Sequence, residues 1–482
     1  MHRGSGGMTF SNRGFRRGLV RALCSTAAVL ALLGAGVSAG TATSPAGSAE
    51  ASGSAEAPTE LAEGRYFGAE LEWSTADAGS YSEDVGISPS FLTRPFAYPL
   101  DDTLKEDLRS TAQQVAEMGA LAVVTLEPSV PLGELTAEDA EQLAEVLQDA
   151  GEEYGTAFFI RFAPEMNGTW FEWGQQPEEY VAAFRTVAEV VHAQVPSAAM
   201  LWAPSYASGY PFTEAYGALD ERGEGTLEAL DTNGNELVDF GDDPYAPYYP
   251  GDDAVDWVGL TMYHYGSYQP GRVAENDDDR DYSGSIVTSV LPEEDKFATQ
   301  LEGSYGLPPQ APQVNFAKEY AAERGKRFFI QTAALYDPED PDTADEVEIK
   351  TAWLNQLFDP AIAKEYPEIG MIAWLEDVRT EPEAEDRTVD WRLGGNEEVA
   401  EVLRNTLERS AGSPETILAP VVEPYAAEEA AEEDAQAGAE GAGGEPRGLG
   451  TTISASVAAL AVGGVIAWLL AMVIRPNKPR GN

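Results

Sequence analysis

Ala157-Phe158-Phe159-Ile160-Arg161-Phe162-Ala163-Pro164-Glu165-Met166-Asn167-Gly168-Thr169-Trp170-Phe171-Glu172-Trp173-Gly174 decides how this chain is read. The run Ala157–Phe162 is short, apolar and aromatic, which predicts a buried strand. Helical patterns flank it, Ala137–Gly151 before and Glu178–Val195 after. A strand between two helices is the unit of a parallel α/β sheet.

The same alternation extends in both directions. Further strands are predicted at Tyr66–Leu71, Phe91–Phe96, Ala120–Leu126, Met200–Ala203, Val255–Met262, Phe328–Thr332 and Met371–Leu375. Helices are predicted at Leu104–Met118, Phe316–Arg324, Val347–Phe358 and Glu397–Glu408. Eight such strands predict an α/β fold, a (β/α)8 TIM barrel, with chemistry at the carboxyl ends of its strands. A doubly wound open sheet is the alternative, although no Gly-rich phosphate loop follows the first strand.

Glu165 follows the fourth strand beside an amide, Asn167, and two indoles, Trp170 and Trp173. Aromatic faces stack on sugar rings, and a carboxyl in a partly apolar pocket has the raised pKa that a general acid needs. A glutamate capping the next helix would look the same. The segment from Arg161 through Glu165-Met166-Asn167-Gly168 to Trp170 resembles the strand-four signature of glycoside hydrolase family 26, the β-mannanase family. Trp202-Ala203-Pro204, Asp256-Trp257-Val258-Gly259-Leu260 with Tyr263, and Lys350-Thr351-Ala352-Trp353 extend the resemblance. Pro164 departs from the family, where a histidine is frequent.

The resemblance implies that Glu165 is the acid/base of a retaining glycosidase, whose two carboxylates stand ~5–5.5 Å apart. Arg161, Asn167, Trp170, Trp173, Trp202, Tyr263, Gln331 and Trp374 become the expected substrate contacts. It also implies a nucleophilic glutamate ending strand seven, which reads Phe328-Phe329-Ile330-Gln331-Thr332-Ala333-Ala334. Either Gln331 or Thr332 falls at that position, and neither is a carboxylate. Glu376, ending strand eight, is a possible substitute catalytic carboxylate. Glu70 and Glu127 also end strands.

Asp231-Thr232-Asn233-Gly234-Asn235-Glu236-Leu237-Val238-Asp239-Phe240-Gly241-Asp242 places oxygen donors at positions 1, 3, 5, 9 and 12 of a calcium loop, with the Leu237 carbonyl at position 7. A structural Ca²⁺ on Asp231, Asn233, Asn235, Leu237, Asp239 and Asp242 is expected, with an acidic surface loop as the alternative. No cofactor for chemistry is expected. His264 ends strand six, but three histidines in all make a zinc site unexpected.

The ends carry addresses. Residues 1–39 read as a signal peptide: arginines, an apolar run and the small-residue site Val37-Ser38-Ala39. Cys24, the only cysteine, falls within it, so no disulfide is expected in the mature chain. Residues 40–59 read as a disordered lead-in, 60–417 as the barrel and 418–450 as an acidic disordered stalk. Residues 451–474 are uncharged and long enough to span a bilayer of ~30 Å, and the basic tail 475–482 predicts a cytoplasmic C-terminus. That makes a single-pass membrane protein with an extracellular barrel. The net charge of −52 argues against nucleic acid as a partner and fits a neutral ligand, which the resemblance implies is a polysaccharide. A β-linked glycan, mannan-like or β-glucan, is either cleaved or, without the strand-seven carboxylate, only held by a binding module or scaffold for envelope polysaccharide.

Overall fold

Parallel strands β1 (Arg65–Leu71), β2 (Phe91–Tyr98), β3 (Leu121–Pro128), β4 (Phe158–Phe162), β5 (Ala198–Trp202), β6 (Trp257–Thr261), β7 (Arg327–Thr332) and β8 (Ile369–Glu376) pair in chain order. The last closes on the first, from Tyr66 against Met371 to Leu71 against Glu376. The barrel is therefore complete, and the open-sheet alternative is excluded. These features come from a computed structural model, which describes residues 61–426 except 62, 213–223, 269–285, 309–310, 341–342 and 411–415. Among the described residues no helix is long and apolar enough to cross a membrane. The expected signal peptide, lead-in, membrane span and tail lie outside them, as does most of the stalk.

The helices are α1 (Ala78–Val85), α2 (Asp102–Glu117), α3 (Ala137–Tyr154), α4 (Pro177–Gln194), α5 (Glu224–Leu230), α6 (Lys296–Leu301), α7 (Glu346–Leu357), α8 (Pro360–Glu365) and α9 (Glu397–Ser410). Side-chain caps start several of them. Asp101 accepts from Leu104 N on α2, and Thr136 and Asp139 form a capping box on α3. Between β6 and β7 the expected helix is a π-helical turn, Ala317–Ala321, with a 3₁₀ turn after it. The unexpected α1 carries its own capping box, Asp77 with Ser80.

Strand alternation divides the core in two. Tyr66, Phe91, Leu121, Val123, Phe159, Leu201, Trp257, Phe329 and Met371 fill the barrel interior. Phe67, Leu92, Val124, Phe158, Trp202, Val258, Ile330 and Trp374 face the helices. At the amino ends of the strands the interior is floored by partly buried Leu61, Ile417, Val421 and Val422. Thr416 and Ile417 pair with β1, Val421 N donates to Gly119 O at 2.7 Å, and Tyr425 meets Tyr154 edge-on at 5.2 Å. The folded body thus runs past the expected boundary at 417, because these apolar residues cover the barrel's open end.

Candidate active site

The mouth is organised by the loop after β4. Ala163 and Glu165 have φ of 42° and 58°. Left-handed backbone costs a non-glycine residue about 1–3 kcal/mol, so it persists only where the surroundings over-determine it. Here Ala163 N donates to Leu126 O and Glu165 N to Ala203 O, both at 2.8 Å. The Trp173 indole donates to Pro164 O at 2.9 Å. Asn167 gives both amide atoms to the Ser205 main chain, donating to its O and accepting from its N, each at 2.8 Å. Gly168 is required, since a Cβ there would stand 2.4 Å from the Trp170 ring. The product of these restraints is a fixed carboxylate: Trp170 Nε1 donates to Glu165 Oε2 at 2.8 Å.

Beneath it lies one cation among carboxylates. Arg161, 4% exposed, places Nη2 3.0 Å from Thr261 Oγ1 and Nη1 3.5 Å from Glu70 Oε2. Burial raises the Glu70 carboxyl above the usual range against the pull of Arg161 and Arg379, and the charges of Glu165 and Asp377 add to the rise. Glu127 is pushed up to about 7, by burial first and then by the charge of Glu70, with Glu165 adding to it and Arg161 opposing. Tyr263 is driven above its ordinary value by burial and by the charges of Glu70 and Glu165. Glu70, Glu127, Glu165 and Tyr263 thus share one electrostatic site, each partly open to solvent. A glycosidic oxygen and a sugar ring could be met there by carboxyl groups and by the half-exposed Trp170.

Other expected contacts lie elsewhere. Trp202 and Trp374 are fully buried on the helix-facing side; Trp374 donates to Trp391 O, and Trp202 packs on Tyr249, Phe316 and Tyr320. Strand alternation turns both away from the mouth, so neither contacts substrate there. Glu376 shares that parity. Its carboxylate accepts from Leu393 N at 3.0 Å and Gly394 N at 3.1 Å, which ties a loop to the barrel rim rather than facing Glu165. Its carboxyl is pushed up to about 7 by burial, with the two main-chain donors opposing. Asn167 and Arg161 support the site from behind, and Trp173 stacks on Phe171 at 4.3 Å with little exposure.

Strand seven separates its two candidates. Thr332 faces the helices, donating to Met262 O at 2.6 Å and accepting from Trp353 Nε1 at 2.9 Å. Gln331 shares the inward parity of Phe329, and neither of its amide atoms has a hydrogen-bond partner among the described residues. Arg379, just past β8, was not singled out in the sequence because it lies beyond the strand in a hairpin with Arg387–Asp390.

His264 is fully buried, 2.7 Å from Val290 O and 3.0 Å from Lys296 Nζ, which pins the segment after β6 to the barrel. In the Asp231–Asp242 loop the carboxylates accept main-chain N–H groups, Asp231 from Gly234, Asn235 and Glu236, and Asp242 from Asn233 and Asp239. Among the described residues no group of three or more His, Cys, Asp or Glu side chains stands placed to hold a metal ion.

Residues 118–278 match the family model described as Glycosyl hydrolase family 26. The resemblance read from the strand-four motif therefore holds over a segment that contains Glu127, Glu165 and Tyr263. No curated protein matches. Among solved structures, a Cellulomonas fimi endo-β-1,4-mannanase double mutant is similar at 14% identity, with 75% of this chain and 74% of that chain covered and a TM-score of 0.45. A Bacillus subtilis mannanase gives 15% identity, 75% and 88% coverage and a TM-score of 0.38. The catalytic domain of a Bacillus sp. JAMB-750 family 26 endo-β-1,4-mannanase gives 15%, 75% and 90%, and 0.41.

Proposed function

From a barrel that carries the family 26 signature over residues 118–278, we propose that the mouth takes a β-linked polysaccharide, mannan-like or β-glucan, and cleaves its glycosidic bonds with Glu165 as acid/base. The observation that carries this is the strained, over-determined turn that presents Glu165 with its oxygen fixed by Trp170. A structural cap has no need of a left-handed backbone or an indole donor. Trp170 and Tyr263, both half-exposed, would flank the sugar. The test is release of reducing ends from β-mannan and mixed-linkage β-glucan by wild type and Glu165→Gln; cleavage that survives the substitution sinks the assignment.

A second reading is binding without cleavage. It is favoured by Gln331, a buried, inward-facing amide on strand seven where a nucleophilic carboxylate is expected, with no hydrogen-bond partner among the described residues. Binding to either polysaccharide with no reducing ends from wild type would select it. The same proposal places the barrel outside the cell, tethered by residues 451–474 with the C-terminus cytoplasmic. It keeps a structural Ca²⁺ on the Asp231–Asp242 loop, tested by the melting temperature with Ca²⁺ and with chelator; equal values remove the ion.

A further inference from the structure

We propose that Glu70, at the end of strand one, is the nucleophile that works opposite Glu165, in place of any group from strand seven. The proposal rests on reading the mouth as a glycosidase site.

Four strand-end positions compete for the role, and geometry separates them. Glu376 faces the helix layer and is committed to the Leu393 and Gly394 main chain. Gln331 faces inward but is an amide, which cannot form and release a glycosyl ester. Glu127 and Glu70 both face the interior, with the parity of Val123 and Tyr66. A nucleophile must be anionic when substrate arrives. Glu70 has Arg161 Nη1 3.5 Å from Oε2, and that guanidinium is itself fixed on Thr261. Arg379 adds a second positive charge that favours the Glu70 anion. Glu127 has no ion pair among the described residues and is held near half-protonated at neutral pH. Burial raises both carboxyl groups, and Glu70 is the one of the two that is paired with a buried cation, which favours its anion. Arg161 lies four residues before Glu165 at the end of strand four, so Glu70, held on Arg161, stands at the mouth that carries Glu165.

The step balances as follows. One Glu70 oxygen bonds to the anomeric carbon while that carbon's bond to the glycosidic oxygen breaks, and Glu165 gives its proton to the departing oxygen. Water then loses a proton to Glu165 and bonds to the anomeric carbon, and the ester bond to Glu70 breaks. Both carboxyl groups return to their starting states.

The full chain is incubated with 2,4-dinitrophenyl 2-deoxy-2-fluoro-β-glycosides of mannobiose and cellobiose, digested and analysed by mass spectrometry. A glycosyl adduct on the peptide carrying Glu70 is expected. In parallel, Glu70→Gln should lower kcat on the cleaved polysaccharide by at least about 10³-fold with KM within a few-fold, and azide should restore turnover to Glu70→Ala as glycosyl azide. A residue with only a structural role gains nothing from azide. An adduct on another residue, inversion at the anomeric carbon, or a Glu70→Gln enzyme as active as wild type while Glu165→Gln is dead overturns the proposal and leaves the glycosidase reading intact. No cleavage by wild type removes both.

Discussion

The two ends of the barrel are built on opposite rules. At the floor, Arg327 lies over Trp257 at 4.9 Å and Tyr66 at 5.7 Å, Trp257 meets Phe159 edge-on at 5.1 Å, and Val421 and Val422 cover the opening. Aromatic and aliphatic packing dominates there. At the mouth, two residues hold left-handed backbone, Glu70 and Glu127 crowd around Arg161, and an inward glutamine lacks partners among the described residues. Each of these features costs stability, and the mouth tolerates them because the packed strands below fix its geometry. Left-handed backbone and clustered carboxyl groups at the carboxyl ends of the strands mark where chemistry sits.

The sharpest test of that division sets one residue from each end side by side. Glu165→Gln is expected to lower kcat by about 10²–10⁴-fold, the usual contribution of a general acid–base group, with an unchanged melting temperature. Trp257→Ala, which empties the floor, is expected to cost about 3–5 kcal/mol in denaturant unfolding. If Glu165→Gln destabilised the fold as much as Trp257→Ala, the mouth would be part of the scaffold and the contrast would collapse.

Neighbouring residues on one strand sharpen the contrast further. Thr332 uses its hydroxyl twice, on Met262 O and Trp353 Nε1. Thr332→Val leaves both partners buried and unpaired, an expected loss of about 1–3 kcal/mol by urea midpoint. Gln331→Leu removes an amide that has no partner to lose, so stability should hold or rise while polysaccharide affinity falls. Equal destabilisation by both would show that Gln331 serves the fold rather than a ligand.

The eight strands were legible in the sequence because each is a short apolar run between helical patterns, and β1 to β8 fall within a few residues of expectation. Which way their side chains point was not. In a parallel barrel both faces of a strand are buried, so Met200-Leu201-Trp202 and Ala373-Trp374-Leu375 show no alternation of polarity to read. Trp202 and Trp374 therefore read as sugar contacts although they pack on helices. Glu376 misled for the same reason. Glu70 and Glu127 were visible as strand-end carboxylates, but their common site on Arg161 depends on closure of β1 against β8, a contact between residues some 300 apart. Helix α1 escaped notice because Ala78–Val85 buries only Ala78, Tyr81 and Val85.

The smallest expected effect concerns the electrostatics of the mouth. Glu127 is pushed up to about 7 in the folded chain by burial and the Glu70 charge, against about 4.3 for an unfolded glutamate. Between those values the folded state holds a proton that the unfolded chain has released, so this group makes stability fall as pH rises through the window and then level off. Glu127→Gln removes the cost. Its advantage over wild type should be absent below about pH 4, grow across the window, and reach on the order of 1 kcal/mol above pH 7 once solvent screening of a partly exposed group is allowed for. Melting curves from pH 4 to 8 read it directly. A variant with the same small offset at every pH would mean that Glu127 does not share the charged interior of Glu70 and Glu165. Trp257→Ala, at the floor, touches none of these carboxyl groups and should shift stability by the same amount at every pH.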